Sequence, residues 1–585
     1  MPPPHPERVT HGSIAQPENT LWRGTGAGIT CAIVVGPPAL CCKNGRCESL
    51  RSKDSGMTDS PETQNQKTPS TPEPNFLNLC GQIAIGCFLL LLFFYGFCIT
   101  GVVLKEPDIC FLLGGGRWIV EHGQLPAVDP FSYTTHYHPV QYVIEKWLTE
   151  VIFYGLEASV GLTGLLLFDG IILTLAFVVI PYRIAHLCGL RGGAAMRLAT
   201  LGLLTSMSHL ALRPEIFSFL FTAIWFEIMV RLSVATAGNT KIRWDFIAIL
   251  AVLMCLWSNM HTLFLVGILI PGFYSVCAVA ERFVPALKEK PFNWTAPIVT
   301  VVCILASLVN PYGFGLWTYI PNVFGPFNDT NNEMQPIFPK NVANPLFLGF
   351  YILLVTGIKD IVRSCQAPLR QGDLFFRGLI PLGILGGMKT VRSIPLCGLF
   401  MLSGRARVME HNATTDAETS KIETKLARIT NPFNPLWTLT CIAIVCMGVY
   451  TCSFSVTPLV PQDSAAFKPP IKAIAFIEAH RPSGNLLNDP HFGATMIYKM
   501  RNNPPVFIDP RYNLYGNELL QNYWHMVNAD ANYRELLDQY KIDWVFLAPK
   551  TKLPERLAKD PDWQLLYSDE ASVIYARRQK ETQSR

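Results

Sequence analysis

Residues 79–108 read LCGQIAIGCFLLLLFFYGFCITGVVLKEPD. No charged side chain occurs from Leu79 to Leu104, and the run exceeds the roughly 20 apolar residues a helix needs to cross the hydrocarbon core of a bilayer. Lys105, Glu106 and Asp108 then end it within four residues. The stretch is apolar all round rather than striped, which suits lipid better than the surface of a soluble core. It is therefore read as a membrane-spanning helix with polar chain at its far end.

The same signal recurs outward from this segment. Further apolar runs occupy Leu162–Ile180, Ala194–Leu212, Ile216–Leu232, Trp244–Asn259, Thr262–Val279, Trp294–Val309, Leu346–Ile361 and Leu436–Val456. Leu379–Met388 and Ile394–Leu402 are short and are read as a hairpin. Together they predict a polytopic protein with about eleven helical spans. Composition agrees. Half of the 585 residues are hydrophobic, only 16% are charged and the mean hydropathy is +0.26, against roughly 25% charged residues in a soluble domain. The net charge of +5 is small and dispersed, which argues against a nucleic-acid partner. No zinc spacing, P-loop or dinucleotide fingerprint is present. The cysteines from Cys80 to Cys452 lie mostly in or beside apolar runs, as small hydrophobes do.

Basic residues orient the spans. With the N-terminus in the cytoplasm, the inner loops carry Arg183, Arg191, Arg197, Arg231, Lys241, Arg243, Arg282, Lys288, Lys290, Lys359, Arg363, Arg370, Arg377, Arg405, Arg407, Lys421, Lys425 and Arg428. The outer connections hold only Lys105, Arg117, Lys146, Arg213, Lys340, Lys389 and Arg392. The expected organisation is a polar, disordered cytoplasmic tail over 1–75, with Met57 as an alternative start. A transmembrane domain follows over 76–456, with its first outer loop at 105–150. A small extracytoplasmic α/β domain occupies 457–585. In that last part Ile471–His480, Tyr533–Tyr540 and Pro554–Ala558 read as helices. Asn485–Leu487, Val506–Ile508, Trp544–Leu547 and Val573–Ala576 read as strands.

Candidate chemistry collects on the outer side. The first outer loop interleaves carboxylates with aromatic rings: Asp108, then Gly116–Ile119, then Asp129-Pro130-Phe131-Ser132, then Glu145-Lys146-Trp147-Leu148. Rings settle at headgroup depth, and a carboxylate there can act as a general base. On spacing alone, Asp108 as a solvated helix end and the rings as an interfacial belt remain the simpler reading. Other outer turns contribute Arg213-Pro214-Glu215, Trp257 with Asn259 and His261, Asn310-Pro311-Tyr312-Gly313, Glu333-Met334-Gln335-Pro336 and Arg392. Ionisable groups near membrane depth usually have a use or a partner. Against this, Asn310–Gly313 reads equally as a helix stop, and a lone histidine as a hydrogen-bonded turn residue. In the tail, Val506–Tyr512 runs a strand into a polar loop, where Asp509 and Arg511 either bind a ligand or shape the loop.

Taken in order, these segments resemble a bacterial group related to the GT-C superfamily, which includes protein O-mannosyltransferases, aminoarabinose transferases and RgtA/B/C/D-like glycosyltransferases. The resemblance runs from about Leu79 to Arg577. It implies a multi-pass protein of the bacterial plasma (inner) membrane that uses a polyprenyl-phosphate sugar, with membrane lipid around it and a glycan, lipid or protein acceptor. It makes Asp108 the base, Asp129, Glu145 and Glu333 substrate-binding carboxylates, and Arg213, His261 and Arg392 the groups that steady the phosphate. No cofactor is implied with certainty, and a divalent metal stays open. Cys110, Phe111 and Leu112 stand where the related group carries tryptophans and a histidine, and Met334 stands where a tryptophan is expected. Two other functions compete: a lipid or polysaccharide transporter or flippase, and a catalytically silent envelope-assembly protein that displays its C-terminal domain. No clear internal repeat supports the first.

Overall fold

The computed structural model describes residues 108–137, 142–190, 193–209, 212–323, 334–338, 344–366, 368–413, 470–501 and 503–578. The tail over 1–75, the spans expected at Leu79–Leu104 and Leu436–Val456, and Glu333 lie outside the described residues.

The chain enters helix α1 (Asp108–His122) with its acid in the first turn, where a carboxylate favours the helix dipole. Helix α2 (Trp147–Thr174) breaks at Gly161, whose φ of 70° lies in the left-handed region. A π-turn at Leu175–Val179 carries it into α3 (Ile180–Leu187). Then come α4 (Gly193–Ser206), α5 (Glu215–Thr236), α6 (Trp244–Met260), α7 (Phe264–Ala280), α8 (Thr295–Ala306) and α9 (Gly315–Val323). Helices α10 (Leu348–Gln366), α11 (Asp373–Lys389) and α12 (Ile394–Ala413) complete the bundle.

Among the described residues, Gly164–Leu187, Glu215–Thr236 and Phe264–Phe283 are long and apolar enough to cross a membrane, and Trp244–Met260 and Thr295–Ala306 are shorter apolar helices. Helix α7 buries Phe264, Ile270 and Tyr274, yet leaves Leu269 66% and Val276 65% exposed. A helix apolar on both its packed and its open face needs hydrocarbon rather than water outside it. The expected short hairpin is longer than its apolar runs. Helices α11 and α12 continue past Asp373, Arg377, Arg405 and Arg407, because these charges pair: Arg407 with Asp373 at 3.3 Å, Arg377 with Asp373 at 3.7 Å, and Arg405 with Asp360. Arg183 and Arg231, assigned to one side of the membrane by alternation, meet on Glu227 at 2.7 Å each.

Residues from 470 onward form an α/β layer. It contains α13 (Ile471–His480), β1 (Asn485–Asn488), α14 (Pro490–Lys499), α15 (Gly516–Val527), α16 (Tyr533–Gln539), β2 (Ile542–Leu547), α17 (Lys552–Leu557), β3 (Trp563–Ser568) and β4 (Val573–Arg577). The sheet order is β1-β2-β4-β3, with β1 parallel to β2 and the other pairs antiparallel. Asp489 caps α14 by accepting from the His491 and Phe492 amides, with Pro490 as the first helical residue. The strand expected at Val506–Ile508 is a correction. Val506 instead makes an isolated parallel bridge to Ser132, so this extended segment pairs with the loop between α1 and α2 rather than with the sheet.

Candidate functional site

Helix α1 is clamped between α2 and α14, and the glycines of its middle turn allow it. A Cβ on Gly115 would overlap the Glu150 carboxylate, and one on Gly116 would overlap the Glu150 carbonyl oxygen. On the other side, Arg117 donates to the Ile497 and Tyr498 carbonyls at 2.8 Å each. This packing fixes the direction in which Asp108 leaves the first turn.

Asp108 faces Arg213, with Oδ2 3.4 Å from Nη2 and the two side chains 25% and 11% exposed. Two residues on, Glu215 opens α5 and is buried. It accepts from Nε and Nη2 of Arg392 at 3.1 and 3.0 Å. Arg392 sits in the tight turn between α11 and α12. His261 caps the end of α6 and bonds through Nδ1 to the Ser218 hydroxyl at 2.8 Å, while Trp257 donates to the same hydroxyl at 2.8 Å. Burial pushes the His261 imidazole down to about 3, and Arg392 and Lys146 add to the drop against the pull of Glu215. His261 is thus a neutral ring at physiological pH. It can steady a phosphate by hydrogen bonding and not by charge.

The end of the loop between α1 and α2 and the first turn of α2 are tied to the turns after α6 and α8. Trp147 donates to Asn259 at 2.9 Å, Thr149 to the Met260 carbonyl at 2.9 Å, and the Ile144 amide to the Tyr312 hydroxyl at 3.0 Å. Asn310 accepts from the Tyr312 amide at 2.8 Å and donates to the Ser307 carbonyl at 2.8 Å. It builds the turn, as the simpler sequence reading held.

Asp129 has a different partner. It accepts from the Ser132 amide at 3.1 Å and from the Ser132 hydroxyl, and it lies 2.9 Å from Arg511. Arg511 also holds Asp509 at 2.6 Å and donates to Tyr142 at 3.0 Å, while Tyr515 donates to Asp509 at 2.7 Å. Burial would raise the Asp509 carboxyl, but the Arg511 charge and hydrogen bonds outweigh it and hold the group below the usual carboxylate range. The Asp509–Arg511 pair therefore shapes its loop and clasps the loop between α1 and α2 at the same time. Next to it, Tyr512 is raised by burial and by the negative charges of Asp489, Asp108 and Asp509 around it.

Beside the Arg511 cluster lies a small cavity of about 20 Å³, lined in part by Glu145, Lys146, Glu150, Tyr319, Arg511 and Asn513. Glu145 and Lys146 pair at 3.5 Å. Glu150, in the first turn of α2, is only 4% exposed. Burial pushes its carboxyl up to about 8, in spite of Lys146 and Arg511 nearby. Sequence reading passed over Glu150, Tyr319 and Asn513. The visible signal was an acid inside the otherwise apolar start of α2. Among the described residues, no three His, Cys, Asp or Glu converge in a way that would hold a metal ion.

No family model matches the chain, and no curated protein matches it. Among solved structures, it is similar to ArnT from Cupriavidus metallidurans bound to undecaprenyl phosphate, at 13% identity and a TM-score of 0.44, over 86% of this chain and 98% of that one. It is likewise similar to the apo state of the same ArnT, at 13% identity and a TM-score of 0.44, over 85% and 98%. A likeness of that size assigns no residue a role.

Proposed function

We propose that the protein is a membrane glycosyltransferase of the GT-C kind, moving a sugar from a polyprenyl-phosphate-linked donor to an acceptor on the outer face of a bacterial inner membrane. The observation that carries this reading is the pairing of Asp108 with Arg213 at 3.4 Å, next to a second guanidinium on Glu215. A carboxylate and two arginines at one end of an apolar bundle combine a proton acceptor with groups that favour a phosphate dianion. Asp108 takes the proton of the acceptor hydroxyl as its oxygen attacks the anomeric carbon. The bond from that carbon to the phosphate oxygen breaks, and polyprenyl phosphate leaves with the electron pair. Arg213 and Arg392 stabilise the charge that develops on it, and neutral His261 contributes a hydrogen bond. The side of the membrane follows from the excess of basic residues in the opposite loops.

The test is transfer from a polyprenyl-phosphate sugar in proteoliposomes. Asp108→Asn is expected to lower the rate by about 10²–10⁴-fold, the usual contribution of a positioned general base, with membrane insertion unchanged. Transfer at the wild-type rate would remove Asp108 from the chemistry.

A further inference from the structure

The far end of α5 carries a charge cluster that the transfer chemistry does not use. Arg231 lies about four and a half turns after Glu215 in this helix, roughly 24 Å of rise. That distance is most of the roughly 30 Å hydrocarbon thickness of a bilayer, so Arg231 belongs to the leaflet opposite Asp108. There the buried carboxylate of Glu227 receives two guanidinium groups. Arg183, from α3, donates Nε to one carboxylate oxygen at 3.0 Å and Nη2 to the other at 2.7 Å. Arg231 donates Nε and Nη2 to that second oxygen at 3.0 and 2.7 Å. Two cations on one anion leave a surplus of one positive charge. The Nη1 group of each arginine makes no hydrogen bond among the described residues, and the two side chains are 55% and 41% exposed.

The cluster ends an apolar strip. Ile171, Leu175 and Val179 are exposed at every fourth position of the chain leading to Arg183, and Arg183 is the next exposed position at the same spacing. Side chains four apart share a helix face, so a strip suited to hydrocarbon finishes in a cation. On α5, Val234 is exposed about one turn beyond Arg231. Trp244, which opens the next helix, is also exposed, and an indole there marks headgroup depth. We propose that the Arg183–Glu227–Arg231 cluster binds the phosphodiester of an anionic phospholipid of the phosphatidylglycerol type, with an acyl chain along the Ile171–Leu175–Val179 strip. Charge selects this guest. One negative charge matches the surplus of one. The ammonium of phosphatidylethanolamine meets repulsion from the guanidinium groups, and free phosphate has no chain to cover the strip. Guanidinium N–H groups bond phosphate oxygens with charge assistance, and Glu227 holds both arginines in place beforehand, which lowers the ordering cost of binding. The inference is independent of glycosyl transfer and needs only a bilayer around the bundle.

The test titrates the full-length protein in detergent micelles with phosphatidylglycerol, phosphatidylethanolamine or inorganic phosphate, and reads bound lipid by native mass spectrometry. Phosphatidylglycerol is expected to bind at least about tenfold tighter than phosphatidylethanolamine, a difference of the size of one charge-assisted hydrogen bond. Arg231→Gln leaves Glu227 its two-pronged bond to Arg183 and takes the surplus charge to zero. It should weaken phosphatidylglycerol by about tenfold or more. Arg183→Gln, which leaves Arg231 on Glu227, should do the same and gives the reading if the first variant does not fold. Arg243→Gln, at an arginine paired with Asp245, should leave lipid binding unchanged. Equal binding of the two phospholipids by the wild type, full phosphatidylglycerol binding in the Arg231 and Arg183 variants, an equal loss in Arg243→Gln, or displacement of the lipid by equimolar inorganic phosphate would each overturn the proposal.

Discussion

At the scale of single residues, environment decides which charges are present. Glu150, which is buried, and His261, which is half-buried, are both ionisable, and burial favours the neutral form of each. For Glu150 the raised folded value means that the folded protein keeps a proton which the unfolded chain releases. Its contribution is therefore complete below the ordinary glutamate range and is lost as pH rises toward about 8. Glu150→Gln removes that term. The variant should melt at a temperature that depends less on pH between 5 and 8 than the wild type does, and higher than the wild type at pH 8, as read by thermal unfolding in detergent. An identical pH slope in both proteins would mean that Glu150 is ionised in the fold. For His261 the sign is opposite, with stability lost as pH falls below the usual histidine range. Transfer should accordingly show no inflection near pH 6.5 that disappears in His261→Asn.

At the scale of elements, the seam between α1 and α2 depends on a missing side chain. In an ordinary exposed helix, Gly→Ala is stabilising by about 0.5–1 kcal/mol. At Gly116 the added methyl would overlap the Glu150 carbonyl oxygen, part of the α2 backbone, so Gly116→Ala should instead destabilise by roughly 1–3 kcal/mol, the range for overpacking. Its melting temperature relative to wild type gives the sign directly. Elements with strong periodicity were legible beforehand. Trp244–Met260, Ile471–His480 and Val573–Arg577 fall within a residue or two of their expected limits. Two kinds of element were not. Helices α11 and α12 run on through charged residues because Asp360 and Asp373 neutralise them, and no one-dimensional pattern reveals partners on other helices. The 506–508 segment has strand-like residues, but Val506 donates to the Phe131 carbonyl and accepts from the Tyr133 amide, both in a loop far away in sequence.

At the scale of the whole molecule, the outer-side groups singled out from the sequence divide into two sets. Asp108 joins Arg213, and Arg392 joins Glu215 beside His261. Asp129 joins the C-terminal layer instead. The first set lies at turns that the sequence marks by their charge. The second could not be read, because Tyr142 and Arg511 are 369 residues apart in the chain. Arg511→Ala strands Asp129 and Asp509 as buried, uncompensated carboxylates. It should cost about 3–5 kcal/mol, the usual penalty for removing one partner of a buried pair. Limited proteolysis should then release the part after residue 470 faster than in the wild type.

The clasp at Arg511 also sets an order of events during synthesis. Asp129 is synthesised before helices α2 to α12, while the arginine that neutralises it follows all of them. Through that interval the acid has no cation to pair with and is held in water, because an unpaired carboxylate is costly to bury. The loop that carries Asp129 therefore closes over its neighbours only after the 511 segment has been made.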